Sequence, residues 1–198
     1  MKNIEGVRRG LSAYFTDPVV IVLAKTRITP NTLTWLGFLL ALVAAWLVST
    51  GQMVAGGIMV LVAGLFDMLD GALARKTEQT TAFGAVLDST LDRLSEAALL
   101  AGIVIFYAGT AGNLLAILAT VALVFSFMVS YLRARAEALG LKGNSGFFTR
   151  PERVVVLALS LLLVSVFSYA IHLALAIIIL LSLITAIQRM LSIRRQLG

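Results

Sequence analysis

Three long stretches of the chain contain no lysine or arginine, and this feature most constrains the fold. They cover residues 28–74, 94–132 and 154–188. Within them, apolar residues form runs of roughly 20, the length that a helix needs to cross a hydrocarbon core of about 30 Å. Of the 198 residues, 60% are hydrophobic and only 13% are charged. The sequence therefore predicts an all-α integral membrane protein, because a helix satisfies its own backbone hydrogen bonds in lipid.

Glycine, proline and charged residues divide the apolar sequence into six predicted transmembrane helices. The expected spans lie near 32–50, 53–73, 84–108, 112–138, 152–168 and 170–192. Before them, apolar residues recur at helical spacing next to Arg8 and Arg9, which is typical of an amphipathic juxtamembrane helix on the membrane surface. These apolar residues are Ile4, Val7, Leu11, Tyr14 and Phe15. We predict one membrane domain over 1–198, with a juxtamembrane segment at 1–28 and a six-helix bundle at 29–198.

The basic residues lie in clusters that mark one end of the predicted bundle. All sixteen fall at the N-terminus, around 75–93, around 133–153 or near the C-terminus. By the positive-inside rule this end faces the cytoplasm, in a multi-pass protein of the cell membrane. Anionic membrane lipids on that face account for the net charge of +6, so no nucleic-acid partner is predicted.

Four aspartates enter the predicted membrane helices at the same end. Asp67 and Asp70 lie near the end of the second span, and Asp88 and Asp92 lie near the start of the third. Each carboxylate in a membrane helix costs about 2.5 kcal/mol or more, so a group of four requires compensation. Positions three or four apart share a helix face, and antiparallel packing across the loop at 74–83 lets the two pairs converge.

A cation between the carboxylates would supply that compensation. The chain has no cysteine, and its one histidine, His172, lies near the opposite end of the bundle. Ligands that are all oxygen favour a hard divalent cation, so we predict two Mg²⁺ ions, with Mn²⁺ as the alternative. Two such ions stabilise an in-line displacement at phosphorus, which predicts a phosphate ester as the substrate.

The aspartates have two other interpretations. They could be ordinary helix-end acids, paired with Arg75, Lys76 and Arg93. They could also line the pathway of a divalent-cation transporter, because acids within membrane helices mark ion pathways. Acids confined to one end, with small residues interleaved among them, favour an enzyme over both.

The sequence around the aspartates also carries a motif. DMLDGALAR, eight further residues and GAVLDSTLD follow the pattern DxxDGxxAR, eight residues, GxxxDxxxD. In this motif the chain resembles the CDP-alcohol phosphotransferase family. The resemblance implies a homodimer of six-span subunits in which an alcohol displaces CMP from a CDP-linked donor. It implies that Asp67, Asp70 and Asp88 bind metal, and that Asp92 both binds metal and accepts the proton of the attacking hydroxyl as the catalytic base.

The same resemblance implies a CDP-lipid site beside the aspartates. Its residues are Asn31, Thr32, Leu33, Thr34, Gly71, Ala74, Arg75, Thr81 and Gly84. Gly71 lets the cytidine group lie against the backbone, Arg75 suits the pyrophosphate, and Thr81 can donate a hydrogen bond. For residues 31–34 a second interpretation stays open, namely a helix cap and first turn.

Arginines near the ends of the last three spans indicate the chemistry of the acceptor. Their forked hydrogen bonds suit a phosphate dianion, although arginines at helix ends can equally anchor a protein to anionic lipid. The blocks RARAEALGLKG, GFFTRPER and IQR resemble the inositol-phosphate branch of the family. This resemblance implies that Arg133, Arg153 and Arg189 bind the acceptor phosphate. The branch often has lysine where this chain has Arg133.

Together these features predict transfer of a phosphatidyl group from CDP-diacylglycerol to myo-inositol phosphate, with release of CMP. Glycerol 3-phosphate is the alternative acceptor, which would make the product phosphatidylglycerophosphate. An archaeal-type CDP-archaeol donor is the alternative lipid.

Overall fold

The computed structural model describes residues 18–109, 113–143 and 145–197, and within these ranges the regular structure is helical, with no strand. In the described residues, six helices follow a short helical segment at 18–23. They are α1 (Pro30–Ser49), α2 (Met53–Lys76), α3 (Ala82–Ala108), α4 (Asn113–Ala138), α5 (Arg150–Leu163) and α6 (Ala170–Leu197). The predicted all-α class is confirmed. The amphipathic helix predicted from Ile4 to Phe15 lies outside the described residues.

Four of these helices, α1, α2, α4 and α6, are long and apolar enough to cross a membrane, as judged from their length and composition within the described residues. The other two are more polar or shorter. Helix α3 carries Asp88, Asp92, Arg93 and Glu96, and α5 has only 14 residues. The chain is therefore a membrane protein with four candidate spans, and the count of six spans stays a prediction.

The starts of α1, α3 and α5 are fixed by threonine caps. The backbone N–H of Thr32 donates to Thr29 Oγ1 at 3.3 Å, with Pro30 in the first turn of α1. The backbone N–H of Gly84 likewise donates to Thr81 Oγ1 at 2.9 Å. At α5, Thr149 and Glu152 form a reciprocal capping box. Each cap satisfies backbone donors that a helix start leaves unpaired, so the entry points of these helices are well defined.

The helices form a ring in which each one packs against two others. Around the ring the order is α1, α3, α4, α6, α5 and α2, which closes again on α1. One apolar core draws residues from all six, among them Val48, Leu100, Ala119, Leu157 and Ile178. Because short connections make successive helices antiparallel, the starts of α1, α3 and α5 meet the ends of α2, α4 and α6 at one end of the bundle. We call this the charged end.

Glycines bring α1 close to both helices that carry the aspartates. A Cβ atom on Gly102 of α3 would lie 2.5 Å from the carbonyl oxygen of Ala45, and one on Gly37 would lie 3.1 Å from Asp67 Oδ1. A side chain at Gly102 would thus collide with the backbone of α1. Small residues at helix contacts allow such close packing in membranes. The two aspartate pairs are therefore held near each other on α2 and α3.

Candidate active site

The four predicted metal ligands all lie at the charged end, but their surroundings differ. Asp70 is buried, with 5% of its surface exposed, and its Oδ2 accepts a hydrogen bond of 2.7 Å from Thr34 Oγ1. Asp67, Asp88 and Asp92 are partly exposed. Asp88 lines three separate spaces, which we describe in turn.

The first space is a cavity of about 170 Å³ between the starts of α1 and α3 and the end of α2. We call it the small-residue cavity. It is lined by Asp70, Asp88 and seven of the predicted CDP-lipid residues, namely Asn31, Thr34, Gly71, Ala74, Arg75, Thr81 and Gly84. Pro30, Gln79, Thr80 and Ala85 complete the lining and were not predicted. A Cβ atom on Gly84 would approach Thr81 Oγ1 to 3.0 Å, so the absence of a side chain there keeps this wall open.

The segment 31–34 is divided by the turn of α1. Asn31 and Thr34, three residues apart, face the cavity. Thr32 instead lies 2.9 Å from Thr29 through their hydroxyl groups, and Leu33 is buried in an apolar cluster with Val20 and Leu73. A binding role for Asn31, Thr32, Leu33 and Thr34 stays a prediction, and the position of Asn31 and Thr34 on the cavity wall is compatible with it.

The second space is a cavity of about 620 Å³ between α3, α4, α5 and α6. Asp88 and Asp92 line it together with five arginines, which are Arg93, Arg133, Arg150, Arg153 and Arg189. We call it the arginine cavity. The three arginines predicted to bind the acceptor phosphate thus share one space with two of the aspartates.

Arg153 is held in this wall by a residue that the sequence analysis missed. Arg153 is fully buried, and its Nε and Nη2 donate to Glu96 Oε1 and Oε2 at 2.5 and 2.8 Å. The third nitrogen, Nη1, is buried without a hydrogen-bond partner. Glu96 follows Asp88 and Asp92 at intervals of four residues, so it lies on the same face of α3. That spacing was the signal that could have found it.

Arg189 and Arg133 have different partners. Arg189 is buried, and its Nε and Nη1 donate to the carbonyl oxygens of Ser145 and Val129 at 2.8 and 2.5 Å. It therefore joins α6 to α4 and to the loop that precedes α5. Arg133 is about half exposed, and its Nε donates to Glu137 Oε1 at 2.8 Å one helical turn away. Arg189 thus connects different parts of the bundle, whereas Arg133 pairs with a residue of its own helix.

Arg150 connects the arginine cavity to the aspartates. Its Nη1 donates to Asp67 Oδ2 at 2.8 Å and also forms an ion pair with Asp92. Two carboxylates on two helices therefore share one guanidinium group. Arg150 lies within the basic cluster around 133–153, and the sequence alone predicts no particular role for it.

The third space is an apolar groove of about 620 Å³ between α2 and α5. Its walls are Val60, Leu61, Gly64, Leu65, Met68, Pro151, Val154 and Val155. Asp67, Asp88, Asp92 and Arg150 also line it, and Leu61, Leu65 and Val155 are exposed at the protein surface. The groove can therefore take a hydrocarbon chain whose polar end lies at the aspartates.

The four aspartates are the predicted ligands of a divalent cation. In the described part of the chain, no three His, Cys, Asp or Glu side chains are arranged as a ready-made metal site. The hydrogen bond from Thr34 holds Asp70, and Arg150 holds Asp67 and Asp92. The donor chemistry nevertheless fits a hard divalent cation, because four carboxylates at one end of a membrane bundle exceed the charge of one shared arginine.

Comparison with known proteins decides the family. Residues 27–188 match the family model described as CDP-alcohol phosphatidyltransferase. The chain belongs to the CDP-alcohol phosphatidyltransferase family. This confirms the family predicted from the aspartate motif, and it confirms that the protein is an enzyme of the transferase class.

Relatives with assigned names narrow the branch. The chain is 37% identical over 190 residues to a phosphatidylinositol phosphate synthase of Mycobacteroides abscessus. The alignment covers 94% of this chain and 86% of the relative. The structure of the Mycobacterium tuberculosis phosphatidylinositol phosphate synthase with CDP-DAG bound superposes with a TM-score of 0.84 at 35% identity, over 91% of this chain and 94% of that one. The same synthase in complex with manganese and citrate gives a TM-score of 0.83 at 35% identity, over 90% and 88% of the two chains.

Proposed function

We propose that this protein transfers the phosphatidyl group of CDP-diacylglycerol to myo-inositol phosphate, forming phosphatidylinositol phosphate and CMP. The observation that carries the proposal is the position of Asp88, which lines the small-residue cavity, the arginine cavity and the apolar groove at once. A nucleotide, an acceptor phosphate and a lipid tail could therefore meet at one group of carboxylates.

The donor fits the first and third of these spaces. The small-residue cavity offers backbone access at Gly71 and Gly84, hydroxyl groups, and the guanidinium group of Arg75 for a pyrophosphate. The apolar groove continues from the aspartates toward the lipid-facing side of α2 and α5. A CDP-linked lipid has these two parts in the same order, and the relative of 35% identity binds CDP-DAG.

The acceptor fits the arginine cavity. Arg153 lines a space that Asp92 also lines, and its Nη1 has no hydrogen-bond partner among the residues that the structure describes. A phosphate dianion would supply acceptors to Arg153 and Arg133, and a guanidinium group binds phosphate in a directed, forked geometry. An acceptor anchored there by its phosphate can present a hydroxyl group toward Asp92.

The reaction follows from that placement. Asp92 accepts the proton of the acceptor hydroxyl, and the oxygen forms a bond to the lipid-linked phosphorus. The bond from this phosphorus to the bridging oxygen breaks, and that oxygen leaves with CMP. Asp67, Asp70, Asp88 and Asp92 would hold a divalent cation, which would supply positive charge for the phosphate oxygens of the donor. A manganese complex of the same relative supports a divalent metal, and we propose two Mg²⁺ ions.

The remaining features of the proposal concern the setting of the enzyme. We propose a single domain over 1–198 with six spans in the cell membrane, the charged end facing the cytoplasm, and assembly as a homodimer. The clustering of basic residues at the charged end supports this orientation. Cross-linking of the protein in native membranes, followed by denaturing gel electrophoresis, tests the dimer.

One assay tests the proposed reaction. The purified protein with Mg²⁺ and CDP-diacylglycerol is given inositol phosphate, glycerol 3-phosphate or free inositol, and released CMP is measured. We expect rapid release only with inositol phosphate. Equal release with glycerol 3-phosphate would overturn the acceptor, and equal release with free inositol would overturn phosphate recognition. A parallel reaction with CDP-archaeol tests the donor.

A further inference from the structure

Arg150 occupies an unusual position at the start of α5. Its backbone is fixed, because Thr149 Oγ1 and the Thr149 N–H contact Glu152 Oε2 at 2.5 and 2.8 Å, and Pro151 follows in the first turn. These bonds close the capping box of α5. Only the side chain of Arg150 is therefore free to move relative to the helix.

The side chain uses one nitrogen for two acids. Nη1 contacts Asp67 Oδ2 on α2 and Asp92 on α3. Within the described part of the chain, Nε of Arg150 is buried without a hydrogen-bond partner. Arg153, by contrast, gives two of its nitrogens to the two oxygens of Glu96, whereas two acids share one nitrogen of Arg150. The contacts of Arg150 are thus incomplete for a permanent structural pair.

Nη1 of Arg150 also lies where a cation shared by Asp67 and Asp92 would bind. A cation shared by Asp67 and Asp92 must contact an oxygen of each, and Mg²⁺ does so at about 2.0–2.1 Å. Arg150 Nη1 already lies within hydrogen-bond distance of both carboxylates. A guanidinium group and a divalent cation cannot both occupy that position.

A second position for the guanidinium group is close at hand. Arg150 lines the arginine cavity as well as the apolar groove. Rotation about its side-chain bonds, without movement of α5, would carry the charge from the aspartates into the space that holds Arg153 and Arg133.

We propose that Arg150 is an internal counter-ion that a divalent cation displaces from Asp67 and Asp92, and that the displaced guanidinium group then binds the acceptor phosphate. This inference rests on the proposed metal site and acceptor. It makes cation binding and acceptor binding mutually dependent, because each ligand favours the same position of Arg150. Such coupling is reciprocal, so each ligand strengthens binding of the other by the same factor.

The test measures binding of Mn²⁺ alone, by electron paramagnetic resonance of the free ion, in detergent-solubilised protein without CDP-lipid. Arg150→Gln is compared with Arg93→Gln. Arg93 lines the same cavity but donates to the carbonyl oxygen of Ser89 on its own helix. Both variants remove one positive charge near the aspartates, so Arg93→Gln reports the general effect of charge.

We expect Arg150→Gln to bind Mn²⁺ about tenfold more tightly than Arg93→Gln, a factor within the usual range of coupling between sites. Inositol phosphate should tighten Mn²⁺ binding in the wild type and in Arg93→Gln, but not in Arg150→Gln. Equal Mn²⁺ affinities of the two variants, or an unchanged effect of inositol phosphate in Arg150→Gln, would overturn the proposal.

A second measurement covers the case in which Arg150→Gln folds poorly without metal. The rise in unfolding temperature on addition of Mn²⁺ is then compared for Arg150→Lys, Arg93→Lys and the wild type. Lysine keeps the charge, but its side chain ends about one bond short of the position of Nη1, so it should pair less closely with Asp67 and Asp92 and yield to Mn²⁺ more readily. We therefore expect a larger rise in unfolding temperature for Arg150→Lys than for Arg93→Lys. Equal rises would contradict the inference. A wild type that binds no Mn²⁺ would overturn the proposed metal site itself, which separates the two failures.

Discussion

Two arginines that begin α5 lie three residues apart and meet acids in opposite ways. Arg153 and Glu96 form a closed pair, with one cation, one anion and two hydrogen bonds, both side chains being at most 3% exposed. Arg150 is shared by Asp67 and Asp92, which are 26% and 23% exposed, and Asp88 and Asp70 lie at the same end. The first pair is balanced in charge, whereas the second group carries an excess of negative charge.

The comparison distinguishes charges that stabilise the fold from charges that are available for the reaction. A buried pair that loses one partner leaves an uncompensated charge in a low-dielectric interior, so it must stay closed. An unbalanced group is open to further cations and to substrate. We therefore propose that Glu96 positions Arg153 and that the aspartates carry the reaction.

The largest expected effect concerns the unbalanced group, which consists of Arg150 and the four aspartates Asp67, Asp70, Asp88 and Asp92. Asp92→Asn should lower the rate of CMP release about 10³-fold, because the hydroxyl group of the acceptor loses its base. Removal of one negative charge from a crowded group should leave the unfolding temperature unchanged or higher. Turnover is measured with saturating inositol phosphate, and CDP-lipid binding is measured separately. Wild-type turnover of this variant would rule out Asp92 as the base.

Substitution of Glu96 in the closed pair should lower stability, unlike substitution of Asp92. Glu96→Gln should lower the free energy of unfolding by about 3 kcal/mol, because Arg153 stays buried without its counter-charge. Thermal unfolding in detergent measures this loss. The double variant Glu96→Leu with Arg153→Met should recover most of the stability, since no buried charge remains. The double variant should nevertheless release no CMP in response to inositol phosphate, because Arg153 is absent. Release at the wild-type rate would contradict a role of Arg153 in acceptor binding.

A smaller effect separates charge from geometry within the arginine cavity. Arg153→Lys keeps the positive charge but cannot form a forked contact with the acceptor phosphate. The KM for inositol phosphate should therefore rise about tenfold, which corresponds to the loss of one hydrogen bond to a charged group. The KM for CDP-diacylglycerol should change little. Arg194→Lys is the control, because Arg194 lies exposed in the last turn of α6. Equal KM values for the two variants would assign Arg153 to the framework alone.

The smallest effect lies at the edge of the unbalanced group. Thr34→Val removes the 2.7 Å hydrogen bond to Asp70 without changing the shape of the side chain greatly. We expect a loss of about 1 kcal/mol in the free energy of unfolding without metal. Addition of Mn²⁺ should reduce the difference from the wild type, if a cation replaces the lost donor. A difference that is unaffected by Mn²⁺ would argue against Asp70 as a metal ligand.

The sequence alone determined the all-α class, the approximate limits of the six helices and the family. These conclusions depend on local properties. The length of an apolar run predicts a helix, a threonine before it predicts its start, and the motif of four aspartates lies within 26 residues, Asp67 to Asp92. Seven of the nine predicted CDP-lipid residues line one cavity for the same reason, since they belong to three neighbouring helix ends.

Only the tertiary structure decided how the charges pair. Arg150 contacts Asp67 across 83 residues of sequence, and Arg153 contacts Glu96 across 57. Spacing along a helix shows which side chains share a face, but it does not show which face of another helix lies opposite. That choice follows from the order of helices around the ring, in which α5 packs beside α2 and α6. The pairing of charges is thus a property of helix packing, which no local pattern in the chain encodes.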